Sequence, residues 1–119
     1  MLEKPFENKI KKYFKAENIW YVKYWGGSYT QAGIPDLLCC VNGYFLALEV
    51  KSDKGKTTAL QDRQIELIRK SGGYAAQIHP NDFEGLKIII NYLKGRICKS
   101  HTQELNASIN VQENGNYTI

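Results

Sequence analysis

Two acids and a lysine stand out at the ends of two short apolar runs. Asp36 follows Pro35 and precedes LLCCV, while Glu49 and Lys51 close the run YFLALEVK. Between the runs lies Asn42-Gly43. A type I′ turn needs positive φ at both central residues, and Asn-Gly meets that need, so the spacing predicts a two-residue hairpin. Such a turn sets the strand register. Val41 then faces Tyr44, Cys40 faces Phe45 and, further along the ladder, Asp36 faces Glu49. Opposed residues share a face, with Cβ atoms about 4.5–5.5 Å apart. Two carboxylates so placed repel, and a divalent cation relieves the repulsion by taking both as oxygen ligands. Lys51 is two residues beyond Glu49 and points the same way. The main-chain carbonyl of Val50, between them, offers another oxygen. Two carboxylates, an ammonium and an implied metal are the parts that phosphodiester hydrolysis uses. A lone Glu-x-Lys is common by chance, and Asp36 could simply end a loop. The predicted register is what lifts the group above that background.

The elements around this hairpin read as follows. Residues 3–17 form a helix with Phe6, Ile10, Tyr13 and Phe14 on one stripe and Pro5 in the first turn. Residues 19–25 (IWYVKYW) suit a strand, and the glycine-rich GGSYTQAGIP reads as a loop. After the polar loop 52–57, a helix over about 58–71 puts Leu60, Ile65, Leu67 and Ile68 on its apolar face. Gly72-Gly73 ends it. YAAQIH (74–79) is a short strand. Pro80 to Asp82 turns into a helix of about 82–94, with Phe83, Leu86, Ile89, Ile90 and Leu93 inward. The order α-β-β-β-α-β-α predicts an α/β fold, a mixed sheet flanked by helices. Residues 1–95 make one domain, and 96–119 a polar tail or a small hairpin around Asn114-Gly115.

Composition narrows the partners. The chain of 119 residues is 43% apolar and 24% charged, which excludes wholesale disorder. No apolar run approaches the roughly 18 residues of a membrane span, and the N-terminus lacks a signal peptide's apolar stretch. A cytoplasmic protein without a membrane partner is the expectation. Net charge is +4 and uneven: all 16 Lys and Arg lie in residues 1–99, and Glu104 and Glu113 are in the tail. A basic body favours polyanions. Lys54 and Lys56 flank Gly55 just after the acid-bearing strand and, with Arg63, are the candidate phosphate contacts. Lys4, Lys9 and Lys12 are weaker candidates, and Tyr24, Trp25 and Tyr29 could stack on unpaired bases. Three cysteines, Cys39, Cys40 and Cys98, have no metal-ligand spacing and read as buried free thiols.

GIPDLL at 33–38 followed by LEVKS at 48–52 resembles the PD-(D/E)XK nuclease signature. GKTTALQ and then GGYAAQI resemble its VRR-NUC branch, and the likeness covers about residues 3 to 94. The resemblance implies a restriction-endonuclease-like αβββαβ core, dependence on Mg²⁺ or Mn²⁺, and cleavage of DNA. It also implies homodimers acting on branched or flapped DNA, including four-way (Holliday) junctions, and a host-cytoplasmic location if phage-encoded. Asp36 and Glu49 match the family's metal ligands and Lys51 its catalytic lysine. Gln61 matches a helix glutamine, although Thr58-x-x-Gln61 also fits a capping box. Glu7 matches a first-helix glutamate near the metal, or is a surface acid among lysines. Where relatives carry a basic residue after the fourth strand, this chain has His79, which also reads as a satisfied strand-end histidine. Two other functions stay open: a sequence-specific restriction-type endonuclease, and a non-catalytic nucleic-acid-binding module on a degenerate nuclease fold.

Overall fold

The computed structural model describes residues 1–26, 31–96, 110–111 and 117–118. Helix α1 spans Glu3–Ala16 and buries Phe6, Ile10 and Phe14 completely. These three residues recur every four positions, so they fall on one stripe. The helix stops where Asn18 adopts a positive φ of 57°, a conformation asparagine tolerates better than most residues. Strand β1 (Trp20–Lys23) follows, then β2 (Leu37–Val41) and β3 (Tyr44–Val50). Helix α2 (Ala59–Lys70) carries the chain to β4 (Tyr74–Ile78), and a short 3₁₀ turn leads into α3 (Phe83–Gly95).

The strands form one sheet in the order β1-β2-β3-β4. The first three pair antiparallel, and β4 joins β3 in parallel. A parallel neighbour requires a crossover, which α2 supplies. The hairpin has the expected register: Val41 opposite Tyr44, Cys40 opposite Phe45 and Leu37 opposite Leu48. Asn42 and Gly43 have φ of 51° and 85°, as a type I′ turn needs. The architecture is α/β, with a mixed four-stranded sheet and three helices. Asn110–Val111 pairs antiparallel with Tyr117–Thr118 as a separate short ribbon, and Asn114-Gly115 lies outside the described residues.

The two faces of the sheet are covered unequally. Helices α1 and α3 pack on one face, where Phe6, Phe14, Leu37, Cys39, Leu48, Phe83, Ile90 and Leu93 share the main core. On the other face α2 packs against β4, and a smaller cluster forms from Ala47, Ile65 and Ala75. This second face explains the departures from the expected burial. Ile65 is buried and Ile68 packs partly, but Leu60 and Leu67 are exposed. Cys40 is exposed, not buried like Cys39, because alternation along β2 turns it to the face that α2 does not reach. Its cross-strand neighbours Trp20 and Phe45 are exposed as well. Ile89 is also exposed, together with Ile88 and Tyr92 on the outer side of α3. No helix among the described residues is long and apolar enough to cross a membrane.

Asn42 ties the hairpin to α3. Its Nδ2 donates to the carbonyl oxygens of Leu93 (2.9 Å) and Arg96 (2.6 Å) at the C-terminal end of α3, where helix carbonyls lose their intrahelical partners. Asn42→Ala removes these donors and places a residue with a Cβ but no local hydrogen bond at positive φ. The expected cost is about 1–3 kcal/mol, read as a lower urea midpoint with an unchanged m-value.

Candidate active site

The loop into β2 delivers Asp36 to the end of the sheet. Gly33 has φ of +81°, and a Cβ there would lie 2.6 Å from the Leu60 carbonyl oxygen. Only glycine lets this loop press against the first turn of α2. Pro35 is fully buried, and the Tyr24 N–H donates to the Asp36 carbonyl at 2.7 Å. These contacts fix the backbone of Asp36 between β1 and β3. Its carboxylate accepts from the Val50 N–H through Oδ2, at 2.9 Å.

Glu49 lies on β3, an inner strand covered on both sides, and is only 3% exposed. Burial, then the neighbouring Asp36 carboxylate, push the Glu49 carboxyl up from 4.5 to about 8, against the opposing pull of Lys51. The two acids thus keep a proton that two separated carboxylates would lose. The Lys51 Nζ stands 3.6 Å from Glu49 Oε2 and donates to Gln61 Oε1 at 3.0 Å. Lys51 is largely buried, so its ammonium is held in place by those two groups and not by bulk water.

Gln61 forms the expected capping box and also meets Lys51. Its Oε1 accepts from the Thr58 N–H at 2.8 Å, and its own N–H donates to Thr58 Oγ1 at 3.2 Å. This reciprocal pair starts α2. The same Oε1 accepts from Lys51, so a helix cap is also the lysine's anchor. A carbonyl oxygen has two lone pairs and can serve both donors.

Glu7 reaches the group only through an intermediary. It is 3% exposed, and its Oε1 lies 2.6 Å from Lys23 Nζ. Lys11 approaches Oε2 at 2.9 Å. Burial alone would raise the Glu7 carboxyl, but Lys23 and Lys11 outweigh it and hold it below 4.5. The Lys23 Nζ also lies 3.4 Å from Asp36 Oδ1. Burial opposes the charge on Lys23, yet Glu7 and Asp36 prevail and hold its ammonium above 10.5. Lys23 is a site neighbour that strand periodicity alone does not single out. The signal was present, as a single lysine among the aromatic and β-branched residues of IWYVKYW, but β1 alone does not say which acids it meets.

Asp36, Glu49 and Gln61 line one cavity of ≈ 340 Å³ with Tyr24, Gly33 and Ile34. A larger groove of ≈ 590 Å³ between β4 and α3 is lined mainly by apolar side chains such as Leu46, Leu86 and Ile89. It brings no acid pair and lysine together. Beside the acidic site, Lys54, Lys56, Gln77 and His79 line an open depression. His79 Nε2 donates to the Gly55 carbonyl at 2.7 Å, so it staples the Lys54–Lys56 loop to the end of β4. Arg63 is exposed on α2. Trp25 is 70% exposed with Lys23 Nζ 5.4 Å from its ring centroid. Tyr29 and Cys98 lie outside the described residues.

As a donor set, Asp36, Glu49 and the Val50 carbonyl offer hard oxygens, the type that Mg²⁺ and Mn²⁺ take. The proton retained by the acid pair is what a divalent ion would displace. Among the described residues, no three His, Cys, Asp or Glu side chains converge in a way that could hold a metal. A metal here would therefore complete its shell with backbone, water or substrate oxygens, as Mg²⁺ commonly does. No protein-family model matches the chain, and neither a curated protein nor a solved structure matches it.

Proposed function

We propose that this protein is a divalent-metal-dependent endodeoxyribonuclease of the PD-(D/E)XK kind, in its VRR-NUC branch, acting on branched or junction DNA. The observation that carries the reading is the buried Glu49 beside the half-buried Asp36, with Lys51 fixed next to them by Gln61. A buried acid beside a second carboxylate is costly, and a perturbed acid, here Glu49, with a fixed ammonium next to it is characteristic of reaction sites. The order of elements, α1-β1-β2-β3-α2-β4, is that of the nuclease core this branch shares.

Asp36, Glu49 and the Val50 main-chain carbonyl would hold Mg²⁺ or Mn²⁺, which when bound supplies positive charge at the scissile phosphate and acidifies water. Lys51 presents its ammonium to the charge that builds on the phosphoryl oxygens, and Gln61 keeps it from swinging away. Lys54, Lys56 and Arg63 attract the backbone phosphates on either side. Trp20, Val22 and Phe45 leave an apolar patch on the uncovered sheet face, a surface that suits a second copy of the chain.

The decisive experiment is a cleavage panel with Mg²⁺ or Mn²⁺ on linear, flapped, forked and four-way DNA, run beside Asp36→Asn. Cutting of the branched substrates, lost in Asp36→Asn, is expected. Binding to DNA with no cleavage under any metal would instead mark a non-catalytic binding module. Equal cutting of a linear duplex and a junction of the same sequence would remove the preference for branches.

A further inference from the structure

We propose that Lys23 is an internal cation that occupies the place of a second metal, so that the centre takes one divalent ion and one fixed ammonium. This rests on the reading of Asp36 and Glu49 as a divalent-metal pair. Lys23 comes from β1 and faces the α1 side of the sheet, where Glu7 lies. Its Nζ is 2.6 Å from Glu7 Oε1 and 3.4 Å from Asp36 Oδ1. It therefore bridges two carboxylates from different elements, as a metal ion would. Lys51, just beyond β3, instead meets Glu49 and the Gln61 of α2, so the two lysines serve different acids of the pair.

The arrangement assigns separate work to the three acids. Glu49 faces Lys51 and Asp36. Asp36 turns Oδ1 towards Lys23 and Oδ2 towards the Val50 N–H. Glu7 contacts Lys23, Lys11 and, at 3.8 Å, Lys4. Glu7 is thus a positioning residue, not a catalytic one. Its Oε1 accepts from Lys23, while the buried Oε2 makes no hydrogen bond and has only the nearby charges of Lys11 and Lys4, so its task is to hold Lys23 against Asp36. An ammonium needs no particular coordination number and cannot dissociate from the chain, so it neutralises Asp36 whether or not metal is abundant. A divalent ion in the same place would need oxygen contacts near 2.0–2.1 Å for Mg²⁺. With Lys23 present, that space is filled.

Removing the ammonium should therefore open a second metal position between Glu7 and Asp36. The test is Mn²⁺ stoichiometry, by equilibrium dialysis and by electron paramagnetic resonance of free Mn²⁺. Wild-type protein is expected to bind one Mn²⁺, and Lys23→Ala two. Lys23→Arg should stay at one because the charge is restored, and Lys23→Ala with Glu7→Gln should return to one. Should Lys23→Ala fail to fold, Lys23→Met keeps the apolar stem and removes only the charge, with the same expected rise to two. Two ions on the wild type, or one ion on both neutral variants, overturns the internal-cation role and leaves the nuclease reading standing. No Mn²⁺ on the wild type overturns both, and separates that failure from the first.

Discussion

Lys51→Ala is expected to slow DNA cleavage by about 10²–10³-fold, the usual loss when one fixed charge-stabilising donor is removed. The ammonium is placed by Glu49 Oε2 at 3.6 Å and Gln61 Oε1 at 3.0 Å. Among the described residues, Lys51 is the ammonium that contacts Glu49. Water could fill the gap left by alanine but would not be held with its donors aimed. The fold should tolerate the change, because Gln61 keeps its bonds to Thr58 and α2 keeps its start. Affinity for a four-way junction in chelator should change little, since one lysine among many gives a small share of the phosphate attraction. The measurement is single-turnover cleavage with Mg²⁺ alongside a mobility-shift titration. Cutting at the wild-type rate would take Lys51 out of the reaction. A matched fall in melting temperature would give it a structural role instead.

A second large effect is expected from pH in the absence of metal. Folded protein keeps a proton on the Asp36–Glu49 pair until about pH 8, whereas an ordinary glutamate loses its proton near 4.5. Between those values the unfolded chain binds fewer protons than the folded one. Stability is therefore full below the lower value and falls as pH rises towards the upper one. For one proton the slope cannot exceed about 1.4 kcal/mol per pH unit. Glu7 acts in the opposite sense and in a different window. Its carboxyl is held below 4.5, so its contribution is lost only as pH falls beneath that value. Urea unfolding in chelator across this range should show the slope in wild type and its loss in Glu49→Gln, which keeps the shape of the side chain and cannot ionise. Adding Mn²⁺ should oppose the fall, because a divalent ion replaces the shared proton. Equal slopes in wild type and Glu49→Gln would show that the pair carries no such proton.

The centre of the site was legible because it is local. Asn42-Gly43 permits one tight turn, the turn sets one register, and strand alternation then puts Glu49 and Lys51 on a shared side of the sheet. These are short-range rules that need no knowledge of the rest of the chain. Gln61 was half legible. Its capping box and its match to a helix glutamine looked like rival readings; the same carbonyl oxygen accepts from the Thr58 N–H and from Lys51, because it has two lone pairs.

What depends on how layers pack was not legible. Leu60 and Leu67 sit at apolar helical positions yet stay exposed, because α2 packs against β4 and leaves the β1–β2 side uncovered. Cys40 and Phe45 are exposed for the same reason. Glu7 and Lys23 are 16 residues apart, on a helix and a strand whose meeting neither periodicity predicts. Asp36, Glu49 and Lys51 were thus determined by the sequence through bonds between near neighbours along one hairpin. That Lys23 closes the other side of Asp36, and that Glu7 serves Lys23, was decided only when α1 settled on the opposite face from α2. Helical and strand periods say which side of an element is apolar, but not which element will cover it.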